Sequence, residues 1–137
     1  MWKQSCAILT LATALSTSPA MATELQGIGA MLPLKSGVAN VIEFKEKNVT
    51  VHAFECYGQG QSDQSSDPET TDYSRIDDTI TLSHEGQSVG VLEIKALSAE
   101  ALTLFQAVEG APNGGTSFVY RKVSSVKPLC ELYQEPA

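Results

Sequence analysis

Apolar and polar residues alternate along much of the chain, and the alternation is densest over 73–123. Ile80 and Leu82 are set between Thr79, Thr81 and Ser83, Leu92 and Ile94 around Glu93, and Leu102 and Leu104 around Thr103. A chain patterned this way presents one face to a core and the other to water when it is extended, which predicts β-strands. Breaks fall at Asp77-Asp78, Glu85-Gly86-Gln87, Ser98-Ala99-Glu100 and Pro112-Asn113-Gly114-Gly115, all rich in turn formers. The predicted strands are 73–76, 79–84, 89–97, 101–108 and 116–124. Upstream, 23–33 reads as an irregular first strand, and 38–45 and 49–57 as a hairpin joined through Glu46-Lys47-Asn48. A short helix over 98–105, capped by Ser98, competes with the strand there. The Thr-Leu-Phe content favours the strand.

These segments make an all-β fold, an antiparallel up-and-down meander of about eight strands, and at eight such a sheet can close as a barrel. Closure removes the unpaired edges that an open sheet of this size would have to guard.

The amino-terminal residues form no part of that pattern. Lys3, an apolar run from Cys6 to Leu15, Ser-Thr-Ser-Pro and the small-residue ending Ala20-Met21-Ala22 together read as a signal peptide over 1–22. The apolar run is about ten residues, too short to remain as a membrane-spanning helix, so cleavage near Ala22 and release into the periplasm or the medium are expected. Taking 22 residues from 137 leaves 115, enough for one domain, read as a barrel over 23–125 and a carboxy-terminal tail over 126–137. The formal charge of −7 becomes −8 when Lys3 is lost. An acidic body without a basic cluster disfavours nucleic acid and anionic membrane surfaces. Cys56 and Cys130 are the two cysteines left, and an even pair in an exported chain reads as a disulfide that ties the tail to the barrel.

The stretch 58–72 contains almost nothing that could be buried, and its carboxylates Asp63, Asp67, Glu69 and Asp72 make it the negative pole of the chain. It reads as a lid or a docking loop. Calcium chemistry fails on spacing: Pro68 stands where a calcium loop needs glycine, and Ser74 where it needs a bidentate glutamate. Strand parity groups His52 with Phe54 and Cys56, and His84 with Ile80 and Leu82, facing inward as half-buried, satisfied side chains. Ser83 beside His84 lacks the Gly-x-Ser-x-Gly setting of a nucleophile. No catalytic, metal-binding or cofactor pattern is found, and the protein is read as a non-enzyme.

Tyr73, the 77–82 hairpin Asp-Asp-Thr-Ile-Thr-Leu, Leu92-Glu93-Ile94, Leu97-Ser98, Leu102-Thr103-Leu104 and 118–123 Phe-Val-Tyr-Arg-Lys-Val together resemble the small bacterial lipocalin-like domains of the calycin type. The resemblance covers 38–123 and implies a closed barrel with an interior cup. The Cys56–Cys130 tie is similar to the bridge that fastens the tail of many lipocalins. The Gly-x-Trp of larger lipocalins is replaced by Gly27-Ile28-Gly29. The function expected is an exported binding protein holding a small, partly apolar ligand. Inward candidates are Ile42, Phe44, Phe54, Ile80, Leu82, Leu92, Leu104, Phe118 and Tyr120, with 58–72 as a lid. The competing expectation is a periplasmic interaction, inhibitor or immunity-type domain that docks a basic partner through Asp63, Asp67, Glu69 and Asp72.

Overall fold

The computed structural model describes residues 24–134, so the expected leader and the last residues of the tail lie outside the described residues. Among the described residues there are ten strands: β1 Gly27–Met31, β2 Val41–Phe44, β3 Asn48–His52, β4 Phe54–Cys56, β5 Ser62–Gln64, β6 Glu69–Ile76, β7 Thr79–His84, β8 Gln87–Leu97, β9 Ala101–Ala107 and β10 Gly115–Val123. Eight of them close into one antiparallel barrel, β1-β2-β3-β6-β7-β8-β9-β10, with β10 returning to pair with β1. The other two, β4 and β5, form a separate hairpin that interrupts the meander between β3 and β6.

The inward positions follow from the alternation. Met31, Ile42, Phe44, Val49, Ile80, Ile94, Leu102, Leu104 and Tyr120 form one buried cluster. Cross-strand partners share a face, so Leu102 opposite Tyr120 and Leu104 opposite Phe118 place their side chains on the same inner layer. Phe44 and Tyr73 meet edge to face across the interior, ring centroids 5.5 Å apart. Turn chemistry matches the breaks in the sequence. Glu85 and Gly86 both take positive φ, 52° and 82°, as a tight two-residue hairpin requires. At Ser98 the competing helix does not form. Its Oγ accepts the backbone N–H groups of Glu100 and Ala101 at 3.2 and 3.1 Å, closing a turn from which β9 departs as a strand.

Three departures from the expected elements have local causes. The strand expected over 49–57 ends at His52, and β4 leaves the barrel to run beside the 37–39 segment. There Ala39 N–H donates to Phe54 carbonyl and Cys56 N–H to Gly37 carbonyl, at 3.0 and 2.7 Å. The 58–72 stretch is not one loop. Its last four residues begin β6, where the hydroxyls of Thr50 and Thr70 meet at 2.8 Å across β3 and β6. Exposed polar residues are compatible with a barrel wall, and β-branched Thr70 and Thr71 favour it. Thirdly, His52 pairs with Val41 and so faces outward, where its ring bonds Glu43 at 2.7 Å. His84 follows a register shift between Leu82 and Ser83, which carries it off the inner face, and it is exposed.

The Cys56–Cys130 disulfide is present, and with Ala39 it forms a second buried cluster against which Tyr133 packs. Val123 is paired with Ile28 at the barrel end where β1 starts, whereas Cys130 is held beside Gly37 to Ala39 at the other end. The tail therefore returns along the outside of the barrel.

Gly115 opens β10 opposite Ala107, and a Cβ there would collide with the Gln106 carbonyl oxygen and lie 2.7 Å from Phe105 Cζ. Gly115→Ala is expected to destabilise the barrel by about 2 kcal/mol, read from urea denaturation. A loss below about 0.5 kcal/mol, the usual range for surface changes, would contradict this close packing.

Candidate functional site

Two glycines create the most distinctive feature of the interior. Gly27 and Gly29 occupy inward positions of β1, opposite Phe44 and Ile42. Two missing side chains in succession on one face leave space at this end of the barrel. Tyr120 fills part of it, since a Cβ on Gly29 would lie 3.2 Å from Tyr120 Cβ. Lys122 crosses another part, since a Cβ on Gly27 would lie 2.9 Å from its Nζ. What remains is a cavity of about 60 Å³. Its walls mix apolar side chains, from Leu25, Ile42, Phe44, Leu97 and Leu102, with polar residues, Glu24, Gln26, Ser98, Tyr120, Arg121 and Lys122. Glu24, Leu25, Gln26, Gly27 and Phe44 are shared with a wider open cleft of about 600 Å³, bounded by Lys45, Glu46, Tyr73 and Arg75. The small cavity is thus the inner end of a funnel at the mouth where the amino terminus enters.

The polar groups here have contrasting partners. Tyr73 hydroxyl donates to Lys45 carbonyl at 2.9 Å, and partial burial, its largest cause, raises its pKa. Lys122 Nζ donates to Gln26 carbonyl at 3.1 Å, and among the described residues no carboxylate forms an ion pair with it. Tyr120 is 8% exposed, and burial pushes its pKa up to about 12. Among the described residues its hydroxyl has no hydrogen-bond partner. A buried hydroxyl without a partner is costly, so such a group marks a place where water or a ligand belongs.

The sequence-derived ligand candidates separate cleanly. Phe44 and Tyr120 line the cavity, as does Ile42. Leu82, Leu104, Phe118 and Ile80 belong to the packed interior away from it, and Leu92 borders a groove between β8 and β9. Phe54 is a correction: it lies on β4, in the side hairpin, because the chain leaves the barrel after His52. The lid is a second correction. The excursion from β3 to β6 is attached at the end marked by Val51 and Glu69, and none of its residues borders the funnel. Its carboxylates are all exposed but belong to different elements: Asp63 on β5, where it accepts the Tyr57 hydroxyl at 3.0 Å, Asp67 in the connection, and Glu69 and Asp72 on β6. Sequence reasoning missed Gly27, Gly29, Leu102 and Lys122. The signal available was Gly-x-Gly at the period of a strand, two successive gaps on one face.

Among the described residues no group of three or more His, Cys, Asp or Glu could hold a metal ion, and no helix is long and apolar enough to cross a membrane. Comparison with known proteins gives no match: no family model fits the sequence, and no curated protein or solved structure is significantly similar to it.

Proposed function

We propose that this is an exported, non-enzymatic binding protein of lipocalin-like type that takes a small, partly apolar ligand into the funnel at the amino-terminal end of its barrel. The observation that carries the reading is buried Tyr120, whose hydroxyl has no hydrogen-bond partner among the described residues, on a cavity walled in part by Leu25, Ile42, Phe44, Leu97 and Leu102. Small-molecule sites combine these features, an apolar surround and a few polar groups that orient the ligand. The upper barrel is filled by its own side chains, so the ligand seats in the end cavity and extends into the open cleft. Export is supported by the disulfide, which forms and persists in oxidising compartments.

Titration with straight-chain alcohols, followed by NMR, tests the reading. Butan-1-ol to octan-1-ol should perturb the resonances of Leu25, Phe44 and Leu102, with affinity rising as the chain lengthens. Tyr120→Phe, which removes the orienting hydroxyl, should weaken each of them by about tenfold. Perturbations confined to other surfaces, or an unchanged affinity in Tyr120→Phe, would sink the proposal.

A further inference from the structure

We propose that two copies of this chain associate through β8, by antiparallel pairing of residues 87–92 across a two-fold axis at Gly90. The barrel wall is not laddered along its whole height. β8 and β9 pair from Leu97 opposite Leu102 to Glu93 opposite Phe105, and there their ladder ends. Beyond that point Gln87 to Leu92 run beside β7 alone, from Gln87 opposite His84 to Leu92 opposite Ile80, while Gln106 and Ala107 run beside β10 alone. A groove of about 400 Å³ follows the parting, lined by Gly90, Val91 and Leu92 on one side and Phe105, Gln106 and Ala107 on the other. Among the described residues no strand is paired with this flank of β8, so its backbone N–H and C=O groups are open to another chain.

The residues along this flank fit it to a copy of itself. A free edge is ordinarily guarded by a charge, a proline or its own brevity. The run from Gly86 to Leu92 has neither charge nor proline although the chain carries a net charge of −7, and its two valines, Val89 and Val91, are 61% and 52% exposed. Charge also selects the register. An axis at Val89 would set Glu85 of each copy opposite Glu93 of the other, two repulsive contacts, and an axis at Val91 would set Val89 opposite Glu93. An axis at Gly90 sets Val89 opposite Val91 and Gln87 opposite Glu93, and no carboxylate meets another. It also brings Glu85 of each copy towards exposed Lys95 of the other, a contact of opposite sign at the rim. Two-fold symmetry makes every one of these contacts twice.

Sedimentation equilibrium of the full chain, from about 1 µM to about 1 mM, tests the pairing by mass action. A short ladder makes a weak contact, so a dimer with a dissociation constant of about 0.1 mM is expected. The amides of 89–92 should exchange with solvent more slowly at the high end of the concentration range. Val91→Lys, at an exposed position, should leave the urea midpoint unchanged and weaken the dimer about a hundredfold, tenfold at each of two equivalent contacts. Glu85→Lys and Lys95→Glu should each weaken it by about threefold at low ionic strength, and the two together should restore it. A chain that stays monomeric throughout overturns the inference. So does a dimer that survives Val91→Lys, one that forms without protecting 89–92, or a charge swap that fails to restore it.

Discussion

Replacing Cys56 and Cys130 together by alanine is expected to cost about 4.5 kcal/mol of unfolding free energy, the largest effect of any change considered for this chain. The two cysteines are 74 positions apart, so the bridge closes a long loop and restricts the unfolded chain accordingly. The folded state loses as well. The disulfide is the centre of the second buried cluster, and it fixes the tail at Cys130 and the side hairpin at Cys56. Urea denaturation of oxidised protein and of the double variant would show a lower midpoint for the variant. The slope should rise, because an uncrosslinked unfolded chain exposes more surface. A loss below about 1 kcal/mol would mean that strain offsets the entropic gain. Cys56 and Cys130 are only 4% and 2% exposed, so reductant should act much faster in denaturant than in native buffer.

The second large effect concerns alkaline pH. Tyr120 ionises near 10 in an unfolded chain, but in the folded barrel burial pushes its pKa to about 12. A raised acid pKa means the folded state keeps a proton that the unfolded state releases. Stability is therefore unaffected below pH 10 and falls as pH rises towards 12, by a total on the order of 3 kcal/mol. Tyr73 shifts in the same direction, also chiefly through burial, and adds to the slope. Tyr120→Phe should flatten the pH dependence over this window. It should also raise stability at neutral pH by about 1 kcal/mol, because a buried hydroxyl with no partner is replaced by hydrogen. Melting temperatures of both proteins from pH 7 to pH 11 provide the check, and parallel curves would show that Tyr120 is hydrated in the folded state. A Tyr120→Phe variant that is both more stable and weaker in binding would carry the signature of a site shaped for a ligand.

The barrel was legible because a wall strand has to obey a period of two. Ile80, Leu82, Leu92 and Leu104 are readable as inward residues from their spacing alone, and the turns at Glu85-Gly86 and Asp77-Asp78 from their chemistry. Legibility failed where the chain leaves the wall. The strand-like run from Val49 to Tyr57 has no turn former in it, yet the barrel releases it at Ala53 and Cys56 bonds the tail, a long-range demand that no local pattern records. Glu69 and Asp72 were misread for the opposite reason. Their charge suggested a loop, whereas an outer or end position on a barrel strand tolerates charge. The site was half legible. Phe44 and Tyr120 are legible as large inward residues, but the space beside them is made by the side chains that Gly27 and Gly29 lack.

The side hairpin has a consequence for self-association. Every barrel strand has a neighbour on both sides for at least part of its length, and among the described residues the two-stranded β4–β5 unit is a further place where backbone groups of a sheet remain available to another chain. Its outer strand, Ser62-Asp63-Gln64, is short, fully exposed and carries a charge at its centre. A second copy approaching that edge would set Asp63 near its own counterpart, so this unsealed ladder is guarded against fibre-like pairing by a carboxylate at its centre.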